Sequence, residues 1–153
     1  MREPTSDVCL LTPVPLQHLV SGMARCAETG LVVYGTNSGM VLSEFRAMVD
    51  EDHPADILFY ASEDTAPGPP VAKFRGRFEG YREGRAGRAD KEWAPHRPPT
   101  TETDGAWLSF YAVSNLRELE TPIALATLSK RDAKGKLAKN FYPLGPVIID
   151  TPF

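Results

Sequence analysis

A chain of 153 residues, 42% hydrophobic and 24% charged, matches one globular domain with a single core and excludes a disordered or fibrous chain. No apolar run approaches the ~18 residues that a membrane-spanning helix requires, and the polar start Met1–Asp7 lacks the apolar stretch of a secretory leader. The net charge of −3 is uneven: residues 1–64 carry three basic against ten acidic side chains and residues 65–153 fourteen against ten, so an acidic and a basic surface region are expected.

In chain order, Val8–Thr12 reads as a buried first strand ending at Pro13 and Pro15. Leu16, Leu19, Val20 and Met23 recur at helical spacing and predict a short helix, and Gly30 breaks the chain before a second apolar run, Leu31–Tyr34. The segment Gly35–Gly39 has loop composition. Val41, Leu42, Phe45, Met48 and Val49 predict an amphipathic helix that Asn37 or Ser38 can cap. Asp50–Asp56 predicts a solvated acidic loop, because acid at a helix C-terminus opposes the dipole. Ile57–Ala61 predicts a third strand. After the turn at Pro67–Pro70, Val71–Phe78 alternates strictly and places Lys73, Arg75 and Arg77 on one face.

Residues 80–104 are rich in glycine, proline and charge, a loop length that is uncommon without a function. Trp107–Val113 predicts a strand with Trp107, Ser109, Tyr111 and Val113 on one face. Thr121–Pro122 opens a short predicted helix over Ile123–Leu128, and Val147–Ile149 makes the last strand. Strands this closely spaced predict an α+β fold, a small, mostly antiparallel β-barrel with short flanking helices, rather than a doubly wound sheet. The expectation is a single cytoplasmic domain over 1–153, with no membrane partner. Cys9 and Cys26 then read as reduced, partly buried thiols.

Catalytic signatures are mostly absent: the sequence holds no GxSxG, Walker loop, HExxH or CxxC, and neither a cofactor nor a metal is expected. His53 with Asp50, Asp52 and Asp56 has the residue types of a metal site, but reads better as a solvated loop. Lys73 with Glu79 and Thr36 supplies the residue types of a lysine-dependent hydrolase. The aromatic and basic combination points elsewhere. Tyr34, Trp93, Trp107, Tyr111, Phe141 and Tyr142 border strand ends or loops. Aromatic faces stack on nucleobases, and lysine and arginine hold phosphates.

The order of motifs carries a resemblance. Leu31-Val32-Val33-Tyr34-Gly35-Thr36-Asn37, a helix ending Phe45-Arg46-Ala47-Met48, and Asp56-Ile57-Leu58-Phe59-Tyr60-Ala61-Ser62 resemble the EVE family, whose members carry "GVYGVRN" and "RVLFYHS" segments at these places. The strand Val71–Phe78, the segment Trp107–Leu119 with Thr121–Leu128, and Phe141–Ile149 are similar to its later elements. Thr36 stands where the family has arginine, and Val8–Leu11 lacks its tryptophan. EVE domains belong to the PUA-like group with YTH and ASCH domains. The resemblance thus implies a PUA-like barrel and a nucleic-acid-binding module, a reader that recognises a modified base in DNA or RNA. In such a reader Tyr34, Asn37, Ser38, Ser62 and Trp107 would line an aromatic pocket, joined by Trp93 and Tyr111, while Lys73, Arg75 and Arg77 would hold phosphates. A nuclease or other effector protein is the expected partner. Related ASCH domains include amidohydrolases of modified cytidine, so an ASCH-like hydrolase of a small modified nucleoside, with Lys73 as base, is the alternative; binding is favoured over catalysis.

Overall fold

The computed structural model describes residues 6–64, 67–101, 105–131, 136–137 and 143–153. Among them, six strands form one curled, mixed sheet flanked by two helices, an α+β architecture of half-barrel form. The elements run β1 (Val8–Pro15), α1 (Leu16–Thr29), β2 (Val32–Thr36), α2 (Gly39–Met48), β3 (Asp56–Ser62), β4 (Val71–Glu83), β5 (Ser109–Ala124) and β6 (Val147–Asp150), with 3-10 turns at Ala94–His96, Pro99–Thr101 and Leu125–Thr127. The sheet order is β2-β5-β4-β3-β1-β6. Only the β1–β3 pair is parallel; the segment between them, holding α1, β2 and α2, supplies the long crossover that a parallel pair requires. Beyond β6, backbone bonds from Arg131 to Ile148 and from Asp150 to Ser129 carry pairing onward and curl the sheet further.

Local sequence explains much of this. Ala72, Phe74, Gly76 and Phe78 are buried, while Lys73, Arg75 and Arg77 are half-buried, which is the alternation expected of β4. The helix α1 buries His18, Leu19, Gly22 and Cys26. It ends where Gly30 takes the left-handed conformation at φ 88° and its N–H bonds the Cys26 carbonyl, a termination that glycine adopts without strain. Val20 and Met48, predicted to face inward, are exposed: each lies at the edge of its helix's apolar stripe, and Leu19 and Phe45 take the core positions.

Three expectations are corrected. Gly35 and Thr36 belong to β2, not to the following loop. Trp107 precedes β5, which begins at Ser109, so it does not share a strand face with Tyr111. The helix expected over Ile123–Leu128 is the end of β5 followed by the single turn Leu125–Thr127. Here β5 pairs with β4 but has already left β2, so Pro122, which has no N–H to donate, sits where β5 has one open side.

The main core lies between the sheet and the helices, where Leu19, Leu42, Phe45, Ile57, Phe59 and Tyr111 are fully buried. A second cluster, including Leu11, Leu58, Leu125 and Ile149, fills the curl of the sheet. A third, Val33, Trp93, Phe110 and Ala112, lies under the segment that follows β4. Cys9 and Cys26 are free and buried, and burial raises the Cys9 thiol far above its ordinary value. Neither thiol is expected to react with a water-soluble thiol reagent until denaturant is added; labelling of the native protein at the rate of an unfolded control overturns this. No helix among the described residues is long and apolar enough to cross a membrane.

Candidate functional site

The segment after β4 is tied down rather than loose. Thr100 Oγ1 lies 2.7 Å from His18 Nδ1 and 2.7 Å from Ser21 Oγ on α1. His96 Nδ1 meets Thr29 Oγ1 at 2.8 Å, and Arg97 donates to the Val33 carbonyl at 2.9 Å. These bonds strap residues 94–101 across the open edge of β2 and onto α1.

Between the strap, α1 and the start of β5 lies a cavity of about 520 Å³, within the usual range for small-ligand sites. Trp107 and Phe110 form an aromatic wall, and Arg25, Arg88 and Arg97 bring three cations. The indole of Trp107 is seated directly on Gly35: a Cβ at that position would fall 2.3 Å from Cγ, 2.4 Å from Cδ1 and 2.8 Å from Cδ2. Asn37 fixes the adjoining backbone, its Oδ1 accepting from the Leu108 N–H at 3.0 Å. Arg97 also stacks over Phe110 with its guanidinium carbon 5.3 Å from the ring centre. Arg25 Nε and Trp107 Nε1 are the buried side-chain polar atoms without a hydrogen-bond partner among the described residues, and both belong to side chains lining this cavity. Each exposes less than 1 Å² of surface, so these two atoms are packed within the wall and do not face the open volume of the cavity.

The residues singled out in the sequence do not converge on one pocket. Trp107 lines the cavity, and Asn37 supports it from behind. Tyr34 and Tyr111 are core side chains. Tyr34 packs against Phe59 and Tyr111 at centroid distances of 5.8 and 6.0 Å, and its hydroxyl donates to the His18 carbonyl at 2.8 Å. Burial, then the neighbouring Tyr111, raises the Tyr34 hydroxyl well above its ordinary value. The physical reason is strand parity. Tyr111 and Val113 face the helices, so the opposite face of β5, with Phe110 and Ala112, meets the strap. Trp93 is also a packing residue: it is buried, and the guanidinium of Arg82 lies over its ring at 4.3 Å. The same Arg82 is held by Asp90 at 3.0 Å and Glu92 at 3.2 Å. The Trp93 N–H and then Arg82 keep the Asp90 carboxyl below its ordinary value. Ser38 occupies the N-cap position of α2 without a capping bond from its side chain, and Ser62 ends β3; neither lines the cavity. Phe141 and Tyr142 lie outside the described residues.

The basic face of β4 is real but engaged. Lys73 Nζ lies 2.6 Å from Asp64 Oδ2. Arg75 binds Asp56 through both ends, at 3.2 and 3.1 Å, and its guanidinium lies 3.4 Å from the centre of the Phe153 ring. Arg117 stands opposite Arg75 on β5; burial, then Arg75, lowers its guanidinium from the ordinary value. Arg77 is half-buried on the same strand, its backbone in register with Asp56 and Ser114. Lys73 and Arg75 are therefore already ion-paired.

The hydrolase set does not assemble. Thr36 sits opposite Ser109, which pairs with Glu83, ten residues along β4 from Lys73 and about 30 Å of strand path away. Glu79 accepts instead from Ser114 at 2.7 Å. His53 bonds Asp50 at 2.9 Å, while Asp56 is turned to Arg75, and no group of three or more metal-ligating side chains gathers among the described residues. Sequence reasoning missed Arg25, Arg88, Arg97 and Phe110. Arg25 lies on α1, far from the others in sequence, and no local signal marks it. No protein-family model matches this chain, and no curated protein matches it at a significant level.

Proposed function

We propose that this protein is a PUA-like, EVE-type reader that captures a modified nucleobase of DNA or RNA, and that the base enters the cavity beneath the strap. The observation that carries this reading is the pairing of an aromatic wall, Trp107 and Phe110, with three arginines in a cavity of about 520 Å³. An extruded base gains stacking on the indole, and arginine at the rim meets the phosphates that flank it. The exposed Arg88 takes the phosphate role first expected of Lys73, Arg75 and Arg77. The free, buried cysteines fit a reducing, cytoplasmic setting. A nuclease or other effector protein is the proposed partner for any downstream action.

Fluorescence titration with short oligonucleotides, each carrying one modified base, tests the reading. Binding is expected to be salt-sensitive, with Arg88→Ala reducing the salt slope by about one. Trp107→Ala is expected to weaken binding by about fivefold or more, since one base stack contributes about 1–3 kcal/mol. Equal, weak binding of modified and unmodified strands, unaffected by Trp107→Ala, refutes it.

A further inference from the structure

Arg85 and Arg88 stand opposite each other across a tight turn whose Gly87 and Arg88 line the rim of the cavity. Their backbones exchange both bonds of a closing pair, each N–H donating to the other's carbonyl at 2.9 Å. Ala86 and Gly87 between them are left-handed, at φ 51° and 79°, which makes the turn type I′. Side chains directly opposite in such a pair leave the same face, from Cα atoms about 5.5 Å apart. Both arginines are exposed, and neither guanidinium has an ion pair or a hydrogen bond among the described residues. Asp90 and Glu92, which border the same surface depression as Arg85, are already held by Arg82 at 3.0 and 3.2 Å; Glu83 borders it too and forms no ion pair with Arg85. Like charges directly opposite are destabilising, and an anion held between them removes that cost.

The turn is pinned in this arrangement. The Gly84 N–H donates to the Leu108 carbonyl at 2.8 Å, and the Trp107 N–H donates to the Gly87 carbonyl at 3.0 Å. A Cβ at Gly87 would lie 2.3 Å from that of Ala106, so the tip rests on the chain that carries Trp107. Ala86 keeps a conformation that residues with a Cβ rarely adopt, which requires surroundings that hold it. The arginine pair and the indole wall of the cavity thus sit on one hydrogen-bonded unit. We infer that Arg85 and Arg88 form a clamp for one phosphodiester, the linkage adjoining the base that enters the cavity. The inference rests on the reader assignment above and specifies which phosphate of the strand is gripped. Two guanidiniums on one face offer N–H donors to both non-bridging oxygens of a phosphate. A phosphate held at a fixed distance from Trp107 sets the register of the strand without reading its sequence.

The modified oligonucleotide that binds most tightly in the titration above, remade with a neutral methylphosphonate at one linkage at a time, tests the clamp. Neutralising the linkage on one side of the modified base is expected to weaken binding at least about fivefold, because hydrogen bonds to a charged group contribute more than neutral ones. Neutralising a linkage at the far end is expected to change it less than about twofold. Arg85→Ala is expected to weaken binding of the all-phosphate strand at least about threefold, and to add less than about twofold once the gripped linkage is neutral, since both changes remove the same contact. Lys91→Ala, which removes an exposed cation outside the turn, is expected to cost the same on either strand. In urea without oligonucleotide, Arg85→Ala is expected to be at least as stable as the parent at low salt, since it removes a repulsion; a lower midpoint gives Arg85 a structural role and overturns the clamp. Indifference to a neutral linkage on both sides of the base, or an Arg85→Ala loss that is absent or equal on both strands, overturns it too and leaves the reader assignment standing where Trp107→Ala still weakens binding. No measurable binding of any strand, or binding that Trp107→Ala does not change, overturns both.

Discussion

Asp56→Ala is expected to lower the free energy of unfolding by about 3 kcal/mol, near the low end of the ~3–5 kcal/mol seen when one partner of a buried ion pair is removed. Asp56 is 8% exposed and meets Arg75 through both carboxylate oxygens. Without it, Arg75 remains beside Arg117 on the neighbouring strand, with no carboxylate to separate the two cations. The low end applies because the Arg75 side chain keeps 21% of its surface in water, which softens the cost. The double replacement Asp56→Leu with Arg75→Met removes both charges, and is expected to recover most of the loss because a well-packed apolar pair can equal a buried ion pair. Urea unfolding checks both variants. A cost below about 1 kcal/mol for Asp56→Ala shows that the pair is effectively solvated. Arg75→Met alone is expected to leave oligonucleotide affinity within about twofold, since a guanidinium already bound to a carboxylate is a poor phosphate ligand.

Gly35→Val has the second large expected effect, and it separates the cavity from the rest of the fold. Gly35 lies in β2 opposite Phe110, with the five-membered ring of Trp107 on top of it. A side chain cannot coexist with that ring, and the indole is too rigid to yield by bending. The expected cost is about 1–3 kcal/mol from overpacking, together with displacement of Trp107 from the cavity wall. In a Trp93→Phe background, the remaining indole emission is expected to shift to longer wavelength as Trp107 becomes wetted, and oligonucleotide affinity to fall about tenfold or more. Gly105→Ala is the matched control: it lines the same cavity, yet a Cβ there meets nothing within 4 Å. Unchanged binding by Gly35→Val would remove Trp107 from the site.

The two variants probe features that differ in how visible they are in the sequence. Lys73, Arg75 and Arg77 share a face because a strand alternates every second residue, and that is a local fact readable from Val71–Phe78 alone. The pairing of Lys73 with Asp64 and of Arg75 with Asp56 depends on how β3 and its following turn lie beside β4, a long-range register that no local pattern encodes. Likewise Val41, Leu42 and Phe45 announce the helix α2, and the apolar runs announce β1 and β3. The length of β5 could not be read that way. Thr121–Pro122 carries a helix-start signal, yet pairing of Ala124 with Val71 and Ile123 with Ala72 holds those residues extended. Long-range pairing overrides local propensity there.

The aromatic residues show the same division most clearly. Composition marks Tyr34, Trp93, Trp107 and Tyr111 as alike, but strand parity sends Tyr34 and Tyr111 to the helix side, and Arg82 covers Trp93. Trp107 escapes both because it precedes β5 and rests on a glycine. By itself, then, the sequence determined the α+β class, the order of most elements and the alternating faces, because periodicity and turn chemistry act over a few residues. The tertiary structure alone decided which cations are ion-paired and which aromatic ring lines a cavity. Those depend on the strap of residues 94–101 crossing β2 to reach α1, which brings Arg25 beside Arg97 and Trp107 across some eighty residues of chain.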